Sequence, residues 1–208
     1  LLNLLEKAKN IIGDDSALTA GSLETKDSNT DGKVGIIDLG AKQSIVNVLN
    51  DLNFETIAIA PNSSSKQILS MNLRGILISN GPGDPIFGIC LGHQILSLAC
   101  GLEVKKLDFG HHGSNHPVEI SGIKKALITA QNHGFAVENF DSNYKHDKYG
   151  RVEVYAKNLN DGSNEGISIW DSMAYSVQFH PESGPGTSDG LQIFDPFVEL
   201  MEKNYAKK

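Results

Sequence analysis

The run Phe87-Gly88-Ile89-Cys90-Leu91-Gly92-His93-Gln94 puts a thiol between two glycines at the point where an apolar strand gives way to an apolar helix. Gly-x-Cys-x-Gly is the thiol form of the Gly-x-Ser-x-Gly turn, a sharp strand-to-helix reversal that lifts a nucleophile clear of a sheet. Glycine is needed on either side because a Cβ there would run into neighbouring backbone. The reversal leaves the sulfur at a helix N-terminus, where unpaired N–H groups and the macrodipole favour thiolate over thiol. A free thiol titrates at about 8.5 and would otherwise be mostly protonated at neutral pH. The alternative is a buried structural cysteine, and Cys100 supplies the comparison: it ends the apolar stretch Leu96-Ser97-Leu98-Ala99-Cys100-Gly101 and reads as core. Roughly 15 Å of helix would separate the two sulfurs, too far for a disulfide. Two unpaired cysteines point to a reducing compartment, and the chain is read as cytoplasmic.

A thiol nucleophile needs a base. Among seven histidines, His180 in Tyr175-Ser176-Val177-Gln178-Phe179-His180-Pro181-Glu182 is best placed. Tyr175, Val177 and Phe179 alternate with Ser176 and Gln178, the period-2 mark of a strand with one face buried. His180 falls at the end of that strand, where open α/β sheets build their sites. Pro181 keeps the segment extended, so residues i and i+2 share a side and Glu182 can reach the imidazole. His180 and Glu182 alone would read as a surface ion pair. With the elbow they complete a nucleophile, a base and an orienting carboxylate, a set suited to acyl transfer through a thioester.

The rest of the pattern is α/β. Residues 33–39 are an apolar run without alternation, as in a strand covered on both faces. Ile45, Val48, Leu49 and Leu52 form a helical stripe, residues 56–60 a second strand, 66–71 a short helix and 75–79 a third strand. Strands alternating with helices predict an open, mostly parallel central sheet with helices on both faces. Leu191, Phe194, Val198 and Met201 predict a closing helix, and Pro196 inside that stripe predicts a kink or a late start. The strands at 75–79 and 86–89 are separated by residues 80–85 alone, whereas a parallel crossover takes a dozen or more. A hairpin there would carry Cys90 to the wrong end of the sheet, so a crossover helix is expected to be missing between Pro85 and Ile86. An intact mass equal to that of the 208 residues would confirm that nothing is hidden there.

Residues 1–12 carry Leu1, Leu4, Leu5, Ala8, Ile11 and Ile12 at helical spacing, and the polar stretch 13–32 reads as a linker, leaving 33–208 as the main domain. A net charge of −7 argues against nucleic acid or an anionic membrane as partner. No apolar run reaches the length of a membrane span.

The elbow and the His180-Pro181-Glu182 pair resemble those of the class I (triad) glutamine amidotransferases, which have a flavodoxin-like fold. Three further runs narrow the likeness: Asn80-Gly81-Pro82-Gly83-Asp84-Pro85, Phe109-Gly110-His111-His112-Gly113-Ser114-Asn115-His116-Pro117, and Ala130-Gln131-Asn132-His133-Gly134-Phe135-Ala136. They are similar to the small, glutaminase chain of carbamoyl phosphate synthetases, over roughly residues 33–203. The resemblance implies that Cys90 attacks the side-chain amide of glutamine while His180, held by Glu182, moves the proton. It implies an oxyanion hole from the backbone N–H groups of Gly83 and Leu91, and a glutamine pocket from Gly81, Leu91, Gln94, Asn132, Gly134 and Phe135. Gly81 and Gly83 read without the resemblance are a Pro-Gly turn after a strand.

His111, His112 and His116 raise the possibility of a zinc or nickel site, but neither cysteine nor carboxylate lies close in sequence. The resemblance makes that loop structural, with its histidines bonded to backbone, makes His133 a packed loop residue rather than a second base, and implies no metal in this chain. The implied partner is a large synthetase chain that uses bicarbonate, ATP and magnesium. No Walker motif occurs here, so ATP chemistry is expected elsewhere. In the family the small chain also carries an N-terminal domain, nearly all of which is lacking from this sequence. An amidotransferase of another pathway and a non-catalytic docking module are the competing readings. The histidine run argues against the first and the intact triad against the second.

Overall fold

The computed structural model describes residues 32–38, 41–60, 63–77, 85–141, 143–182 and 187–206. The expected helix at 1–12, the linker, Gly81 and Gly83 lie outside these residues.

Four short strands with helices between them build one half of the sheet: β1 (Lys33–Ile37), α1 (Gln43–Asp51), β2 (Glu55–Ile59), α2 (Ser65–Leu69), β3 (Gly75–Leu77), β4 (Ile86–Ile89) and α3 (Leu91–Ala99). Val34 to Ile37 are all buried, as a run without alternation requires of a strand covered on both faces. Ile45 and Leu49 of α1 pack into the same core, as their spacing predicts, and Ser64 caps α2 through a reciprocal bond pair with Gln67.

The second half comprises β5 (Val104–Ile120), β6 (Leu127–Val137), a small β7 (Lys145–His146) and β8 (Gly150–Arg151) pair, β9 (Glu153–Asn158), β10 (Asn164–Ile169) and β11 (Ala174–Val177). Nine strands join in the order β2-β1-β3-β4-β11-β10-β6-β5-β9. The sheet is parallel from β2 to β11 and antiparallel beyond it. Strand β11 is the joint, since it runs parallel to β4 and antiparallel to β10. Both histidine-bearing runs, expected to be loops, are strand: they lie in β5 and β6 and pair His111 with His133 and His112 with Asn132.

Strands β3 and β4 are parallel, with Ile76 opposite Ile86 and Leu77 opposite Phe87. The hairpin is therefore excluded, and Cys90 leaves the sheet at the end where β11 delivers His180. The link of residues 78–85 is shorter than the dozen or so residues that such a connection takes. At the C-terminus a 3₁₀ segment (Ser188–Phe194) leads into α4 (Asp195–Tyr205), with Pro196 in the first turn, so the helix starts late. Its buried stripe is Phe194, Phe197 and Met201, whereas Leu191 is exposed. Leu191 falls out of the expected stripe because the 3₁₀ turn, with three residues per turn, breaks the helical count.

Candidate active site

Cys90 sits at the tip of the turn between β4 and α3 with φ +53° and ψ −104°, a left-handed backbone that a side chain adopts at a cost of about 1–3 kcal/mol. The strain is held in place by its neighbours. Cys90 N–H donates to the Val177 carbonyl at 2.9 Å, and the N–H groups of His93 and Gln94 close the first helical turn onto the Cys90 carbonyl. A Cβ on Gly88 would lie 2.8 Å from both C and O of Gly92, so glycine there is a steric requirement. Cys100 stands at the opposite end of α3, buried, with burial pushing its thiol up to about 12. Both cysteines are free, and Cys100 is chemically inert.

His180 is locked from both sides. Its backbone N–H donates to the Ala130 carbonyl of β6 at 2.9 Å, and its Nδ1 meets Glu182 Oε1 at 2.8 Å. The other ring nitrogen is therefore left for Cys90, whose sulfur lies near enough to act on the charge of the imidazole. Burial opposes a charge on this imidazole, but the Cys90 and Glu182 bonds and charges outweigh it and raise its pKa to about 9. Glu182 is itself buried, which would favour the neutral acid, yet the bond and charge of His180 and the charge of Lys42 hold it below the ordinary carboxylate range. Lys42 Nζ, just ahead of α1, lies 3.4 Å from Glu182 Oε1. Lys42 has no signal in the sequence, because it reaches the triad from 140 positions away.

The remaining expected residues divide. Gln94 is buried, and its Nε2 donates to the Phe135 carbonyl at 3.2 Å, so Gln94 and Phe135 stand beside the nucleophile. Leu91 opens α3, and its N–H is among the first four of that helix, which have no intrahelical acceptor. A Cβ on Gly134 would meet nothing within 4 Å. Asn132 is exposed and takes a bond from His112 Nδ1 at 3.0 Å. Ser176 and Gln178 correct the one-face-buried reading of their strand: both are fully buried, because they face α3 rather than water.

The histidines of β5 and β6 also depart from expectation, since most of their partners are side chains. His111 bonds Glu165 Oε1 through Nδ1 at 3.2 Å and Asp161 Oδ2 through Nε2 at 2.9 Å. Glu165 leads this pair of partners, burial opposes it, and the net effect raises the pKa of His111. The carboxylates missing from the neighbouring sequence therefore arrive from β10 and the turn before it. His111, His133 and Glu165 each bring a ligand atom within 4.8 Å of the others, a group that could hold a metal ion. Both His133 nitrogens are engaged as well, with the Phe135 carbonyl at 2.8 Å and Gln131 Oε1 at 2.6 Å. Burial lowers the pKa of His133 to about 4 and that of His93 to about 3, so neither serves as a second base near neutral pH.

A strained thiol on an elbow, beside an imidazole that a buried carboxylate orients, is an arrangement suited to acyl transfer. The class-I glutamine amidotransferase family model matches residues 84–200. The chain belongs to that family. This amidotransferase is 40% identical to the carbamoyl phosphate synthase small chain of Salmonella typhimurium over 212 residues, covering 89% of this chain and 54% of that protein. It is 42% identical to the small chain of Listeria monocytogenes over 190 residues, covering 82% of this chain and 51% of the relative. It thus spans about half the length of the curated relatives it matches. The Salmonella alignment is longer than the whole 208-residue chain while covering only part of it, so the relative has residues within the aligned span that this amidotransferase lacks. A solved GMP synthase component from Thermoplasma acidophilum has the same fold, with a TM-score of 0.69 at 21% identity over 85% of this chain and 98% of its own. Among the described residues no helix is long and apolar enough to cross a membrane.

Proposed function

We propose that this amidotransferase is the glutaminase component of a carbamoyl phosphate synthetase. The observation that carries the reading is the Cys90–His180–Glu182 contact at a strained strand-to-helix turn. In the reaction, the Cys90 sulfur forms a bond to the side-chain carbonyl carbon of glutamine. The negative charge that develops on oxygen is met by peptide N–H groups, those of Leu91 and Gly83. His180 gives its proton to the leaving nitrogen, the C–N bond breaks, and ammonia departs. A water then attacks the thioester with His180 as base, the C–S bond breaks, and glutamate leaves.

Gln94, Phe135, Gly134 and Asn132, with Gly81, hold the substrate. The ammonia passes to a large synthetase chain, which holds ATP and magnesium and makes carbamoyl phosphate from bicarbonate. A protected transfer is chemically sensible, since ammonia released into water is protonated and lost as a nucleophile. One observation favours this branch: the match to small chains at about 40% identity.

The test is a reconstitution with a synthetase chain, driven in turn by glutamine and by ammonium. The expected result is glutamine-driven carbamoyl phosphate synthesis with the chain as it stands, lost in Cys90→Ser, with ammonium-driven synthesis kept. Equal loss of both activities, or no glutamine-driven synthesis at all, overturns the reading.

A further inference from the structure

Ser176 in β11 and Gln178 and His180 just beyond it turn the same side of the chain to the elbow. That side reads the elbow residue by residue: Ser176 Oγ meets His93 Nδ1 at 2.9 Å, Gln178 meets Gln94 and Cys90, and His180 meets Cys90. Gln178 has no role in the mechanism above, yet its side chain is fully buried and its Nε2 lies 3.7 Å from Cys90 Sγ.

The direction of this contact is fixed by a chain of bonds. The Phe135 carbonyl can only accept, so the Gln94 side-chain atom facing it at 3.2 Å is the nitrogen. The same nitrogen lies 3.0 Å from the Gln178 side chain, which must present its oxygen to receive the second N–H. Gln178 therefore has its NH₂ turned toward the sulfur. An amide flip at Gln178 would set its NH₂ against the Gln94 NH₂, two donors face to face inside the protein.

We propose that Gln178 is a further catalytic residue of the amidotransferase, an amide donor clamped against the Cys90 sulfur that stabilises its anionic form. The inference rests on the thioester reading given above. An N–H donor interacts more strongly with thiolate than with thiol, because bonds to an ionised acceptor are the stronger class. The contact complements that of His180. His180 gives up its proton to the leaving ammonia, whereas the Gln178 amide keeps its hydrogens throughout. It is therefore in place to receive the sulfur when the thioester C–S bond breaks and the electron pair returns to Cys90.

The test is the pH profile of Cys90 alkylation by iodoacetamide, read by mass spectrometry in the full chain, with melting temperature measured in parallel. Gln178→Glu keeps the shape and the Gln94 bond but turns an oxygen toward the sulfur. Gln178→Met keeps the volume and removes the donor. In both variants the alkylation rate at neutral pH is expected to fall by about 10-fold, with the midpoint of the profile moving to higher pH. If Gln178→Glu does not fold, Gln178→Met decides. An unchanged profile in a folded Gln178→Met overturns the inference, because a purely packing role predicts that result. Alkylation needs no glutamine, so this outcome is distinct from a wild-type chain that fails to support glutamine-driven synthesis, which would overturn the functional reading instead.

Discussion

His180→Asn is expected to lower glutamine hydrolysis by about 10³- to 10⁴-fold and to remove the alkaline limb of its pH profile. The size follows from the two steps that His180 serves, protonation of the leaving nitrogen and activation of water, since a positioned acid–base group contributes up to about 10⁴. The sign of the pH effect follows from its raised pKa of about 9. Below that value the ring carries the proton that the departing ammonia needs. As the pH rises through about 9 the ring loses it, the sulfur keeps its nucleophilicity, and kcat/KM falls. The apparent midpoint belongs to the Cys90–His180 pair rather than to either residue. Steady-state kinetics from neutral to strongly alkaline pH check this. A wild-type profile that keeps rising past about pH 10, or an asparagine variant within about 10-fold of wild type, would remove His180 from the chemistry.

Gly88→Ala is expected to cost about 1–3 kcal/mol of stability and to reduce hydrolysis by about 100-fold. The added Cβ would stand 2.8 Å from Gly92 C and O and 2.9 Å from Ser176 Cβ. The first two are backbone of the turn that aims Cys90, and the third belongs to the strand directly paired with β4. Relief of the clash must therefore move the nucleophile away from His180. Gly134→Ala is the control for stability, since its Cβ meets nothing within 4 Å and the fold should be unaffected. Thermal melts and hydrolysis assays on both variants are the check. A Gly88→Ala protein as stable and active as wild type would mean that the elbow geometry is not required.

The parts of this site that the sequence made legible are those whose chemistry is local. The glycines around Cys90 and the i, i+2 spacing of His180 and Glu182 each state a geometric requirement within a few residues. The conflict between a parallel sheet and the short 78–85 link was legible for the same reason. What was hidden depended on partners far along the chain. Ser176 and Gln178 looked like the wet face of a strand because alternating polarity usually means that, and only the packing of α3 over them makes that face dry. Strand β5 was unreadable as a strand, since its lysines, glycines and histidines show no alternating apolar pattern. Its register is set by β6, and the carboxylates that satisfy His111 come from about 50 residues away. Lys42 gave no hint of its approach to Glu182. Gln178 had a usable signal, its place two residues before His180, but a neutral amide in an alternating pattern does not stand out as chemistry.

Covalent capture shows whether Cys90 is the nucleophile that takes glutamine. The protein is incubated at neutral pH with a glutamine analogue bearing an electrophilic ketone in place of the amide, then digested and mapped by mass spectrometry. One adduct is expected, on Cys90, slowed by excess glutamine, with Cys100 unmodified. No adduct, or equal labelling of both cysteines without protection by glutamine, would remove Cys90 from the chemistry.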